Sequence, residues 1–269
     1  MRTDGKPFQR AILLVAFGTC VPDAAKAFDE IEKRVREKYR DTEIRWAFTS
    51  KTIRARLAAQ GKSMDSPEAV LSGLMSEGYT QAAVLSLHVV PGQEFQNLES
   101  NATHFAGIKG GFEKILVARP LLGNHDDMIR VTDILSRQFT PHGEKEGVLF
   151  IGHGNSRHSS DAIYVAMNAH MADQGKRLFV GTIEGHPSPD QLLPKLQAAK
   201  IRSVRLVPLM VVAGDHVRKD IAGDDPSSWK SILSNNGIEC EALLDGLARN
   251  PEIVTVWLDH LEDVVSRLR

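Results

Sequence analysis

The chain has few cysteines, little net charge and no long apolar run, and each shortage excludes a class of protein. Two cysteines in 269 residues cannot form a disulfide framework, and their separation matches no zinc-binding spacing. A formal net charge of −1 leaves no basic footprint for nucleic acid. The apolar run at residues 11–17 is too short to span a membrane, and no small-residue cleavage site follows it. The composition predicts a soluble protein, most simply cytoplasmic, without nucleic-acid or membrane partners.

Several familiar active-site motifs are missing as well. No Gly-x-Gly-x-x-Gly follows the first predicted strand, where Phe17-Gly18-Thr19-Cys20 stands instead. The chain also has no Walker loop, no nucleophile elbow and no His-Glu-x-x-His. These absences disfavour dinucleotide binding and predict that the protein uses no nucleotide.

What the chain does contain is a repeat of three segments, in the same order, in its two halves. Residues 13–19, 45–50 and 85–94 are echoed by residues 149–155, 179–184 and 207–216. At the aligned ends, Phe17, Ser50 and Glu94 correspond to His153, Glu184 and His216. The second copy therefore ends in side chains that bind metals, whereas the first ends in a different set, and this asymmetry points to function.

Short apolar runs alternate with helical periodicity along both halves. Residues 11–17 form a continuous apolar run that ends at a glycine, which is typical of a strand buried on both faces. Residues 24–35 place apolar side chains at helical spacing, and Ser66-Pro67 is a helix-start signal. Strands are predicted at residues 11–17, 43–49, 82–90, 114–118, 147–152, 178–183, 203–212 and 240–244, and further helices at 66–76, 161–172, 189–199 and 251–268.

This alternation indicates the fold class. Strands that alternate with helices form parallel sheets joined by right-handed crossovers. We therefore predict an α/β protein made of two similar doubly wound domains, with a cleft between them. The predicted domains are residues 1–125 and 126–250, and the amphipathic helix at 251–268 is predicted to pack back on the first.

Three side chains in the second half each lie just past a predicted strand end. In parallel sheets, ligands bind beyond the carboxyl ends of the strands, so His153, Glu184 and His216 are expected to converge. Two imidazoles and a carboxylate suit a divalent transition metal and leave positions open for exchange. Gly152 and Gly154 flank His153 and allow a bulky ligand to approach the backbone. The pattern predicts a metal site.

Each of these residues also has a plainer interpretation. Ten histidines in one chain place some near strand ends by chance. Glu184 could be a helix N-cap or a surface carboxylate. His216 could be a helix-start residue after the capping Asp215.

The first half offers candidates for binding a substrate. Phe17 and Glu94 occupy the ends aligned with His153 and His216, and His88 lies within the apolar strand at 82–90. We predict that Phe17, His88 and Glu94 contact substrate, although a core role is the default for a histidine in such a strand. The cations that follow strand ends and could meet substrate carboxylates are Arg54, Arg157, Arg218 and Lys219. Solvated surface cations are the plainer alternative for these four.

Residues 12–19, residues 86–95 and Gly152-His153-Gly154 resemble the anaerobic cobaltochelatases of the vitamin B12 pathway. These enzymes are class II chelatases, together with ferrochelatase and the small sirohydrochlorin chelatases. The resemblance runs over essentially the whole chain. It implies two similar α/β domains with a cleft for a flat tetrapyrrole. It also implies that His153, Glu184 and His216 bind the metal, that His153 and Glu184 are catalytic, and that His153 takes up pyrrole protons.

The reaction that the resemblance implies is ATP-independent insertion of Co²⁺ into sirohydrochlorin or a precorrin-2-type tetrapyrrole. Some relatives are exported and bind haem through a histidine after Pro-Gly. The segment at 94–97 offers no histidine, so we expect no haem and a cytoplasmic protein. Such a ligand set does not separate Co²⁺ from Fe²⁺ or Ni²⁺. A sirohydrochlorin ferrochelatase, a non-catalytic tetrapyrrole- or metal-binding protein and assembly into a homo-oligomer stay open as alternatives.

Overall fold

The computed structural model describes residues 9–268, and its internal contacts divide the chain into two compact units. The first unit runs to Leu121 and takes up the chain again from Val254. The second is the continuous stretch Leu122–Ile253. Each unit is an α/β structure built around one parallel sheet.

The first unit contains a four-stranded parallel sheet with the order β2-β1-β3-β4. Its elements are β1 (Arg10–Ala16), α1 (Pro22–Lys38), β2 (Glu43–Phe48), α2 (Lys51–Ala59), α3 (Pro67–Ser76), β3 (Gln81–Ser86), α4 (Gln93–Ala106) and β4 (Lys114–Val117). The central β1 is apolar and buried from Ala11 to Ala16, on both faces of the sheet, as a strand covered by helices on either side must be.

The second unit repeats this arrangement with a parallel sheet of order β6-β5-β7-β8. Its elements are α5 (His125–Gln138), β5 (Glu146–Gly152), α6 (Asp161–Asp173), β6 (Leu178–Thr182), α7 (Pro189–Ala198), β7 (Ser203–Pro208), α8 (Trp229–Asn235) and β8 (Glu239–Ala242). A π-helical turn at Val217–Ile221 follows β7, and a 3-10 turn lies at Leu247–Arg249. The buried Trp229 anchors α8 to the sheet, since its indole N–H donates to the Thr182 carbonyl at 3.2 Å.

The final helix, α9 (Pro251–Arg267), belongs to the first unit from Val254 onward. Trp257 is fully buried there, and its indole N–H donates to the His88 carbonyl at 3.5 Å. The Arg34 guanidinium of α1 donates to Thr255 Oγ1 at 2.9 Å. Among the described residues, no helix combines the length and apolar character needed to cross a bilayer.

The predicted fold class is confirmed, because each half is an α/β unit with four parallel strands. Two predicted strands were too long, however. The strand predicted at 82–90 ends at Ser86, and the one predicted at 203–212 ends at Pro208. The last ladder bonds of these two strands run from the Leu87 N–H to the Val15 carbonyl and from the Leu209 N–H to the Ile151 carbonyl. The apolar residues beyond them therefore lie in loops, and His88 is a loop residue.

Candidate active site

The loops after β5, β6 and β7 carry the three predicted metal ligands of the second unit. His153 follows β5 directly, and Glu184 lies two residues after β6. His216 comes at the end of a longer loop after β7 and immediately precedes the π-helical turn. All three side chains thus start from the carboxyl edge of one parallel sheet, which is where such folds bind ligands.

The structure brings the two histidines together. The ring centroids of His153 and His216 are 4.7 Å apart, with the planes nearly perpendicular at 83°. His153 is half-buried, and the His216 side chain is 45 % exposed, so the pair can be reached by a ligand. His153 Nδ1 lies 3.0 Å from the Gly154 carbonyl oxygen, and His216 Nδ1 lies 2.6 Å from Asp220 Oδ2.

The backbone of Glu184 is hydrogen-bonded to the loop that carries His153. Its N–H donates to the His153 carbonyl at 2.8 Å, and its own carbonyl accepts from the Ser156 N–H at 3.2 Å, while the side chain is exposed. Within residues 9–268, no three His, Cys, Asp or Glu side chains are already gathered closely enough to hold a metal. The metal triad therefore stays a prediction, with its two imidazoles in contact.

The cap alternative for Glu184 is wrong, because α7 begins after Ser188. The Ser188 N–H donates to Gln191 Oε1 at 3.0 Å, and these two residues form the capping box of α7. His216 does stand at the start of a helical turn, as the alternative for it proposed. In that position the His216 ring still contacts the ring of His153.

A buried carboxylate that sequence reasoning missed fixes the two shorter loops. Asp161, only 6 % exposed at the start of α6, accepts the Asn155 N–H on Oδ1 and the His186 N–H on Oδ2, each at 2.8 Å. Gly185 is needed between these loops, because a Cβ there would clash with the Asp161 carboxylate. Asp161 thus ties together the loops that carry His153 and Glu184. An aspartate that opens a predicted helix is an ordinary first-turn residue, so no sequence signal distinguishes Asp161.

In the first unit, the predicted substrate residues occupy different environments. Phe17 follows β1 and is 44 % exposed, and Glu94 is exposed in the first turn of α4. His88 Nδ1 lies 2.8 Å from Ser86 Oγ, whereas its buried Nε2 has no hydrogen-bond partner among the described residues. Burial lowers the pKa of His88 to about 4, so its imidazole is neutral at physiological pH.

The four candidate cations differ in how exposed they are to solvent. Arg157, Arg218 and Lys219 are exposed in the second unit. Arg54 is half-buried in α2, and its Nε lacks a partner within the described part of the chain. Nothing in these environments assigns any of the four to a substrate carboxylate.

Comparison with known proteins finds relatives over nearly the whole chain. A family model described as cobalt chelatase (CbiK) matches residues 10–266. The sirohydrochlorin cobaltochelatase CbiKC of Nitratidesulfovibrio vulgaris strain Hildenborough is 38 % identical over 262 residues, which cover 97 % of this chain and 92 % of the relative. The sirohydrochlorin cobaltochelatase of Salmonella typhimurium strain LT2 is 32 % identical over 260 residues, which cover 96 % and 97 %.

Solved structures agree with this at the level of the fold. SirB from Bacillus subtilis, solved with Fe³⁺, superposes with a TM-score of 0.60 over 95 % of each chain, at 11 % identity. That likeness shows a shared fold alone, whereas the sequence matches show descent. The resemblance read from the strand ends and the Gly-His-Gly turn is confirmed: the chain belongs to the cobalt chelatase (CbiK) family.

Proposed function

We propose that this chain inserts Co²⁺ into sirohydrochlorin without ATP. The observation that carries the proposal is the accessible pair His153 and His216, with ring centroids 4.7 Å apart, in a chain of a cobalt chelatase family. Both relatives described above are named sirohydrochlorin cobaltochelatase, which supports the choice of tetrapyrrole and metal. The reaction needs neither nucleotide nor haem.

The chemistry defines what the residues must do. Sirohydrochlorin and Co²⁺ give the cobalt complex and two protons, because two pyrrole N–H bonds break as the metal–nitrogen bonds form. An imidazole can accept such protons as a general base near neutral pH. It can also hold the ion beforehand, since a metal and a proton compete for the same lone pair. His153 is assigned as this base and passes each proton on to water.

The proposed metal set is His153, Glu184 and His216. The two imidazoles are already in contact. We assign Glu184 as the third donor because its backbone is hydrogen-bonded to the His153 loop at both its N–H and its carbonyl, while its exposed side chain can turn toward the ion. Its carboxylate offsets part of the charge of the ion. A weakly held set of this kind favours release into the macrocycle over storage.

Phe17, His88 and Glu94 are proposed to contact the tetrapyrrole from the first unit. The exposed ring of Phe17 can stack on a flat macrocycle. His88 is included because its neutral ring lies in the loop that follows β3. Glu94 is included because it aligns with His216 and is exposed.

The test is an absorbance assay with sirohydrochlorin and Co²⁺, run against a protein-free control and against His153→Ala. We expect multiple turnover in the natural chain and a loss of about 10²–10⁴-fold in kcat in the variant, the usual contribution of a general base. His104→Ala is the matched control, because the His104 Nδ1 also lies within bonding distance of a backbone carbonyl, that of Ser100 at 2.6 Å, on the exposed face of α4.

Two outcomes would contradict the proposal. A spectral change that stops at one equivalent of sirohydrochlorin would identify a binding protein. Full activity in His153→Ala would remove His153 as the base. Repeating the assay with Fe²⁺ and Ni²⁺ separates a cobaltochelatase from a ferrochelatase, and a faster reaction with Fe²⁺ would overturn the choice of metal.

A further inference from the structure

Both histidines of the pair use the same ring nitrogen, Nδ1, in a hydrogen bond within the protein. His153 Nδ1 lies 3.0 Å from the Gly154 carbonyl oxygen, and His216 Nδ1 lies 2.6 Å from Asp220 Oδ2. A carbonyl and a carboxylate only accept hydrogen bonds, so each Nδ1 carries the hydrogen. In the neutral rings, the lone pair of each Nε2 is therefore available to a metal ion.

The acceptors behind the two rings differ in charge. His153 is backed by a neutral amide oxygen, whereas His216 is backed by a carboxylate at a distance 0.4 Å shorter. A charge-assisted hydrogen bond is roughly twice as strong as a neutral one. It also strengthens the opposite nitrogen as a metal donor and fixes the orientation of the ring. The pair is therefore chemically unequal before any ion arrives.

The local fold holds Asp220 in this place. It lies four residues after His216, within the π-helical turn Val217–Ile221. Val217 and Ile221 are fully buried in the core of the second unit, which anchors the turn on both sides of Asp220. The side chains of His216 and Asp220 are 45 % and 39 % exposed, so solvent reaches the hydrogen bond between them.

We propose that Asp220 is a positioning residue for metal delivery. It holds the His216 Nε2 toward the incoming Co²⁺ and strengthens it as a donor. His216 then anchors the ion, while His153, backed by a neutral carbonyl, is the weaker donor that releases it first. This inference rests on the proposed metal site and adds to it the division of labour between the two imidazoles.

The experiment compares Asp220→Ala and Asp220→Asn in the full chain. We expect KM for Co²⁺ to rise about 10–100-fold in Asp220→Ala, the usual cost of losing such an outer partner. Asp220→Asn should fall between this variant and the natural chain, because an amide oxygen still accepts the Nδ1 hydrogen but lacks the charge. KM for sirohydrochlorin and kcat at saturating Co²⁺ should change little. The visible spectrum of protein-bound Co²⁺ should weaken in the same order.

Asp263→Asn is the matched control, because Asp263 also pairs with a residue four positions away, Arg267 at 3.0 Å, and its side chain is 46 % exposed. An unchanged KM for Co²⁺ in Asp220→Ala, together with a raised value in His216→Ala, would overturn this inference alone. Unchanged values in both variants would overturn the proposed metal site. A lowered melting temperature with unchanged Co²⁺ parameters would make Asp220 a purely structural residue.

Discussion

The two halves share one scaffold and differ where the strands end. Both sheets have the same strand order and the same parallel pairing. Beyond the first sheet lie an exposed aromatic ring, Phe17, and a half-buried neutral imidazole, His88. Beyond the second lie two accessible imidazoles in contact. Apolar strands thus preserve the fold in both copies, whereas the loops, which carry little of the core, have diverged in chemistry.

The position aligned with Glu184 shows this divergence most directly. Its counterpart Ser50 is buried, and its hydroxyl oxygen accepts the Ile53 N–H at 3.3 Å as the N-cap of α2. In the second unit, the loop at this point is held by Asp161 instead, which leaves the Glu184 side chain exposed. A helix cap in one copy corresponds to an accessible carboxylate in the other.

Among these predictions, the largest change in stability is expected when the Asp161 carboxylate, which links two loops of the second unit, is removed. Asp161→Ala leaves the Asn155 and His186 N–H groups without their buried acceptor, at a cost of about 1–3 kcal/mol each. We expect a clear loss of unfolding free energy and a raised KM for Co²⁺. Urea unfolding and the insertion assay measure the two effects. A variant with normal stability and normal KM would show that Asp161 does not organise these loops.

The lowered pKa of His88 in the first unit should be visible in the acid stability of the protein. The folded-state pKa of His88 is lowered to about 4, below the usual value of about 6.5. Between these values the unfolded chain binds a proton that the folded chain does not, so stability falls as the pH drops through this window. In His88→Gln, the loss of stability between pH 7 and pH 4.5 should be smaller by on the order of 2 kcal/mol.

Unfolding by urea at a series of pH values measures this contribution. His104→Gln is the control, because His104 is exposed on α4 of the same unit. If the unfolding free energy of His88→Gln falls between pH 7 and pH 4.5 as much as that of the natural chain, the pKa of His88 is not lowered in the folded protein.

The smallest change in stability is expected at Ser50, the N-cap of α2, which occupies in the first unit the position of Glu184 in the second. Ser50→Ala removes the side-chain acceptor for the Ile53 N–H and should cost about 1 kcal/mol of unfolding free energy. KM for Co²⁺ should stay unchanged, unlike in Asp161→Ala. A raised KM for Co²⁺ in Ser50→Ala would mean that the two copies do not differ in function at this position.

The sequence predicted those parts of the fold in which periodicity is strong. The apolar run of β1 and the stripe of α1 gave the right element types, because burial dictates both patterns. Helix α2 went unpredicted because Leu57 is its one buried residue, so it has no apolar stripe. Helix α5 does carry a stripe, including Met128, Val131 and Leu135, but it begins at His125, where the predicted domain boundary lies. The end of a strand depends on where its hydrogen bonding to the neighbouring strand stops, and a local sequence pattern does not contain that information.

At the candidate site, the sequence predicted that His153, Glu184 and His216 converge at one sheet edge, and the structure brings the two imidazoles into contact. It did not predict Asp161 or Asp220. Their roles depend on which backbone N–H or ring nitrogen faces them in the folded chain. Aspartates at such places are common in any sequence, so only the three-dimensional partners distinguish these two.

The path of the chain also sets an order of assembly during synthesis. The second unit, Leu122–Ile253, is continuous, but the first lacks α9 until the residues from Val254 onward have been made. Domains fold as units as they leave the ribosome, usually beginning with the N-terminal one. Here the N-terminal unit must wait for the fully buried Trp257 near the end of the chain. A chain truncated after residue 253 would therefore contain both histidines of the pair but lack the part of α9 that completes the first unit.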